Sequence, residues 1–156
     1  MPPRIAIDTS VVGGAKDPAF ATDSQWVFDE AAHGTLIVLV SDILVAELSA
    51  APEDVRKVLE GLPPAAIEAV PLDQQAQDLR DAYLAARVVG SRWRLDATHV
   101  AIATVAGADA LLSWDRLHIV GLVRAQGYNR VNRTLGYQEL TIATPTRYRA
   151  ARAGTP

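Results

Sequence analysis

Leu36-Ile37-Val38-Leu39-Val40 is an unbroken apolar run, and Ser41-Asp42 follow it directly. A strand with one wet face alternates apolar and polar residues, so a continuous run predicts a strand covered on both sides, as in a parallel sheet. With Thr35 it gives a strand over residues 35–40, and four more short runs, at 4–8, 67–70, 110–113 and 140–143, read the same way. Helical patterns fill the gaps. They cover residues 23–32, 42–49 with Ser41 as cap, 73–89 between Asp73 and Gly90, and 96–108. In the last of these, Ala97, Val100, Ala101, Thr104, Val105 and Ala108 share one face. Another helix begins at Pro52, where a missing N–H costs little, and ends at Gly61. Residues 119–135 read as a helix broken by glycines, at Gly121, Gly127 and Gly136. Strands alternating with helices imply right-handed crossovers. The expected fold is therefore an α/β domain of three layers, α/β/α, around a central parallel sheet of about five strands.

The 156 residues suit one domain, spanning residues 1–150, with a mobile tail at 151–156. A composition 49% hydrophobic and 21% charged excludes an intrinsically disordered chain. No cysteine is present, which rules out disulfides and thiolate metal sites and suits a reducing cytoplasm. The N-terminus enters a strand-like run with no signal-peptide core, and the longest apolar stretch is far too short to cross a bilayer, so no membrane partner is expected. The net charge of −3 hides an asymmetry: residues 116–156 carry seven arginines and one acid, for +6, against −9 in the rest. A basic third beside acidic residues suits a protein that holds phosphates while positioning metal; a solvated arginine-rich surface is the plainer alternative.

Four acids stand out by their place. Asp8 ends the first strand, Glu47 lies in the second turn of the helix after the second, Asp96 opens the helix before the fourth, and Asp115 lies two residues past the fourth. Ligands of an open parallel sheet bind beyond the carboxyl ends of its strands, and crossover helices start on that edge. All four acids are therefore expected to converge on one edge. Carboxylates so crowded cannot all stay ionised without a cation. Oxygen donors without histidine or cysteine favour Mg²⁺ or Mn²⁺ over zinc, and such ions serve phosphodiester hydrolysis. Each acid alone also has a structural explanation: Asp8 as a turn or helix cap, Glu47 as a solvated helix residue, Asp96 as an N-cap, Asp115 as a cap for the turn after Trp114.

Other residues flank the same edge. His99, three after Asp96, either hydrogen-bonds a ligand carboxylate or is simply packed or exposed. His118, three after Asp115, is a candidate contact for a substrate phosphate. Ser91-Arg92-Trp93-Arg94 combines guanidinium donors with an aromatic face on which a base can stack, although Trp93 packed under a loop is the alternative. Together with Thr9 and Ser113, Arg92, Arg94 and His118 make up the candidate substrate-binding set. Trp26 and Trp114 are expected in the core, His33 at a helix C-terminus, and Asn129 and Asn132 as structural ties of the last long helix. Gly13-Gly14 is not part of a G-x-G-x-x-G motif, and no Walker-type loop accompanies the two lysines, Lys16 and Lys57.

The segments IAIDTSVVGG (5–14), SDILVAELSAAP (41–52), LDATHVAIATVAGADALLSWDRLHIV (95–120) and YNRVNRTLGY (128–137) together resemble the PIN-domain family of metal-dependent ribonucleases. Many members are VapC-type toxins of toxin–antitoxin pairs. By this resemblance Asp8, Glu47, Asp96 and Asp115 correspond to the family's catalytic, metal-binding acids, and Ser113 to its small hydroxyl residue after the fourth strand. The subgroup nearest in pattern more often carries Asn at the position of Asp115, and the acid here strengthens the expected metal binding. The resemblance implies Mg²⁺ or Mn²⁺ as cofactor, RNA as substrate, a small antitoxin as protein partner and a homodimer. Two rivals remain at this level. A phosphatase of the haloacid-dehalogenase type also places an Asp after its first strand, but the second Asp of its D-x-D pattern is Ser10 here. A PIN-like scaffold that binds RNA or protein without cutting is disfavoured by the retained acids.

Overall fold

The apolar run forms β2 (Ile37–Ser41), and it is paired on both sides, with β1 (Arg4–Ile7) and β3 (Ile67–Val70). In the computed structural model, which describes residues 1–154, β4 (Ala110–Leu112) and β5 (Thr141–Ala143) complete a wholly parallel five-stranded sheet of order β3-β2-β1-β4-β5. Register places Ile5 between Val38 and Ala110. All five expected strands are present, with ends shifted by at most two residues.

Alternation along the strands feeds two cores. Ala6, Leu39 and Leu111 point to the layer formed by α5 (Gln74–Ala85), α6 (Arg94–Val105) and α7 (Leu122–Thr134). Ile5, Ile7, Val38 and Leu112 point to the opposite layer, formed by α1 (Thr9–Gly14), α2 (Ala21–Ala32), α3 (Asp42–Leu48), α4 (Glu53–Glu60) and α8 (Pro145–Arg152). This is the expected three-layer arrangement. Ser41 caps α3 by accepting the Leu44 N–H at 3.1 Å, and Asp73 caps α5 through the Ala76 N–H at 2.9 Å. His33 follows the last residue of α2, as its position before Gly34 suggested.

Four differences have local causes. The α5 helix stops at Ala85 rather than running to residue 89, because Arg87 takes a left-handed φ of 57° and turns Val88 and Val89 into the core. Gly127 does not break α7; a Cβ there would sit 3.0 Å from Val88 Cγ1, so glycine serves close packing. The short α1 is unexpected, since Thr, Val and Gly are poor helix formers, and it persists by burying Val11 and Val12. The α8 helix is also unexpected, and its last turn takes Ala151 and Arg152 from the stretch read as a tail, while residues 155–156 lie outside the described residues. Among the described residues, no helix is long and apolar enough to cross a membrane.

Candidate active site

The chain runs from β1 outward through β2 to β3 and then crosses back to β4 on the other side of β1, so the carboxyl ends of β1 and β4 flank a topological switch point. Asp8 follows β1 there and Ser113 follows β4. Asp8 is only 5% exposed; its Oδ1 accepts the Ser10 hydroxyl and its Oδ2 the Ser113 hydroxyl, both at 2.6 Å. Asp8 takes the cap position of α1, but its side chain makes no capping bond of standard geometry and the Val11 N–H acts on it only weakly, so its main partners are the two hydroxyls. The same two hydroxyls accept the backbone N–H groups of Trp114 and Asp115, each at 2.9 Å. Two strand ends are thereby laced around one carboxylate. Burial pushes the Asp8 carboxyl up, and the two hydroxyls and the nearby His99 offset that only in part.

Glu47, on α3, is half-buried, and its Oε1 lies 2.5 Å from Nε2 of the buried His99 on α6. Burial works to raise the Glu47 carboxyl, but the hydrogen bond and charge of His99 prevail and hold it below its ordinary value. The Thr9 hydroxyl pulls the same way, although it is buried without a hydrogen bond of standard geometry. Of the alternatives for His99, the structure takes the carboxylate contact.

Asp96 sits in the first turn of α6 but does not cap it; Trp93 occupies the cap position. Burial, then the charge of Asp115 and more weakly Asp8, push the Asp96 carboxyl up to about 6, against the pull of His118 and His99. Asp115 divides its two oxygens. Its Oδ1 accepts the N–H groups of Leu117 (3.0 Å) and His118 (2.9 Å), the turn cap read as its alternative role, while Oδ2 lies 3.1 Å from His118 Nδ1. That nitrogen is also 3.9 Å from Asp96 Oδ2.

Asp96, Asp115 and His118 each offer a ligand atom, and these atoms lie within 4.8 Å of one another. Sequence spacing leads to oxygen donors alone, and the turn capped by Asp115 also brings the imidazole of His118 beside them. Burial raises the carboxyls of Asp8 and Asp96, and Asp96 also faces the charges of Asp115 and Asp8, so a divalent ion among these donors would offset both effects. Glu47 stands apart from the three and joins the cluster through His99.

The remaining candidates divide. His118 meets the acids rather than standing free for a phosphate. Trp93 takes the packed alternative: it is half-buried against the core and stacks on His118 of the loop after β4, with ring centroids 3.6 Å apart and planes 22° apart, and the Arg92 guanidinium lies 5.2 Å from its centroid. Arg94 instead reaches Asp81 at 3.7 Å, because its position on α6 faces α5. Trp26 and Trp114 are half-buried against the core, and Trp114 Nε1 donates to Ser24 Oγ at 2.9 Å. The role of Ser10 escapes sequence reasoning, its one signal being the Asp-x-Ser spacing.

No family model and no curated protein matches the sequence. Among solved structures the chain is similar to VapC20 of Mycobacterium tuberculosis, a toxin described as cleaving the sarcin–ricin loop, with a TM-score of 0.52 and 13% identity over 87% of this chain and 98% of that one. The fold is thus a PIN-like, VapC-type α/β fold, as the sequence resemblance implied.

Proposed function

We propose that this chain is a metal-dependent endoribonuclease, the toxin of a type II toxin–antitoxin pair, acting in the cytoplasm. The observation that carries this reading is the cluster of Asp96, Asp115 and His118 at the carboxyl edge of the sheet, with the charge of Asp8 near enough to act on Asp96. Asp96 and Asp115, with His118, would hold Mg²⁺ or Mn²⁺, and Asp8 and Glu47 complete the acidic wall. Once bound, the ion would supply charge neutralisation at the phosphate and Lewis acidity toward water.

The chain's own residues supply positioning and proton transfer. Glu47, held ionised by His99, is placed to take a proton from an attacking water. Ser10 and Ser113 fix both oxygens of Asp8, and the stack of Trp93 on His118 steadies the imidazole that meets Asp115. Arg92, exposed beside Trp93, offers donors to the RNA backbone. VapC20's described target supports structured RNA as the substrate class, and its description as a toxin supports an antitoxin as partner; a homodimer rests on the sequence resemblance alone. A phosphatase using Asp8 as nucleophile is disfavoured, because Ser10, hydrogen-bonded to Asp8, stands where the D-x-D pattern needs a second acid.

The experiment is incubation of wild-type and Asp8→Asn protein with labelled structured RNA in Mg²⁺ or Mn²⁺. Wild type is expected to cut and the variant to fall to background, with circular dichroism unchanged. Equal cleavage by both, or phosphate release without any RNA cut, would overturn the assignment.

A further inference from the structure

Much of the positive charge in the last third of the chain is matched from within. Arg133 pairs with Glu139, Arg149 with Asp23, Arg124 donates to the carbonyls of Leu117 and Val88, and Arg152 reaches the Thr35 carbonyl. Among the described residues, the side chains of Arg116, Arg130 and Arg147 meet no acceptor. Two of these three, Arg116 and Arg147, line a single cleft of about 300 Å³ together with Thr144, Thr146, Val120 and Leu122.

No acid lines this cleft. Asp23, which accepts the Thr146 hydroxyl, is already matched by Arg149. The position is equally telling. Arg116 directly follows Asp115, and Thr144 directly follows the end of β5, where Ser113 N donates to the Ala143 carbonyl at 3.1 Å. The cleft therefore opens on the same carboxyl edge as the acids, one strand further along the sheet. Two arginines lining one hollow with no acid in its wall favour an anion there, and the planar donors of a guanidinium match phosphate oxygens. Its volume is at the low end for a ligand pocket, which suits a phosphodiester and its sugar.

We propose that this cleft is a phosphate-binding subsite that grips the RNA backbone beside the bond to be cut. RNA as the ligand rests on the nuclease reading above. The test is binding of a short fluorescein-labelled single-stranded RNA, followed by anisotropy, to Asp96→Asn protein in Mg²⁺ at salt between about 50 and 200 mM. Each phosphate contact on a single strand contributes roughly 0.7 to the slope of log affinity against log salt. Arg116→Gln and Arg147→Gln should each flatten the slope by about that amount and weaken binding about 8-fold at the low-salt end, and the double variant should lose about 1.4. Arg147→Lys should largely keep the slope. Arg130→Gln, which removes an equally free arginine outside the cleft, should leave it unchanged. Unaltered slopes in the cleft variants, equal flattening by Arg130→Gln, or no RNA binding at all would overturn the subsite. Cleavage of the same RNA by wild type is scored separately. Cleavage without a slope effect removes the subsite alone, whereas flattened slopes with neither this RNA nor the structured RNA above cut by wild type keep the subsite and remove the nuclease reading.

Discussion

Asp96 is the residue at which the electrostatics of the site can be read most simply. Its carboxyl moves from an ordinary 3.8 up to about 6, so between those values the native state holds a proton that the unfolded chain releases. Stability without metal therefore gains from this group as pH falls through that window and loses as pH rises. Metal-free Asp96→Asn should be more stable than wild type near pH 7, with the advantage vanishing near pH 4, as urea midpoints at the two values would check. His99 acts one step back, through Glu47. Its replacement by Ala should lower cleavage by about 10–100-fold with folding retained, and His99→Gln, whose amide can still donate, should recover part of the loss in a kcat measurement. Neither contact is written in the sequence, where His99 is equally compatible with packing.

At the scale of elements, the strands and helices α2 to α7 were legible, and α1 and α8 were not. Continuous apolar runs such as 36–40 can be satisfied only between two covering layers, so all five strand positions follow from pattern. The α1 helix has no such mark, since tertiary burial overrides its poor propensity. The α8 helix does carry a signal, Thr144-Pro145, where Thr144 accepts the Arg147 N–H at 3.2 Å and Pro145 takes the first helical position. The α7 helix is fastened as its asparagines suggested. Asn129 bonds both backbone groups of Leu140, and the buried Asn132 accepts the Tyr83 hydroxyl at 2.5 Å. From the same helix Tyr128 donates to the His118 carbonyl at 2.8 Å, tying the fold to the site's loop. Asn132→Leu leaves the buried Tyr83 hydroxyl only the longer contact to Thr104 at 3.3 Å and should cost about 1–3 kcal/mol in urea unfolding.

For the whole molecule, strand order decides what can meet. A parallel sheet with β1 between β2 and β4 brings residues 8, 47, 96 and 115 to one edge, and that much follows from the alternation of strands and helices alone. Side-chain rotamers settle the rest, which spacing does not determine. They carry His118 toward Asp96 and Asp115, turn Glu47 to His99, and send Arg94 away to Asp81. Binding of Mn²⁺, followed by the loss of its free electron paramagnetic resonance signal, is the most direct measurement of a shared ion. Wild type should bind the ion at neutral pH, and Asp96→Asn and Asp115→Asn should each bind it far more weakly. Undiminished binding in both variants, or no binding by wild type, would contradict a metal held by carboxylates from separate elements of the sheet.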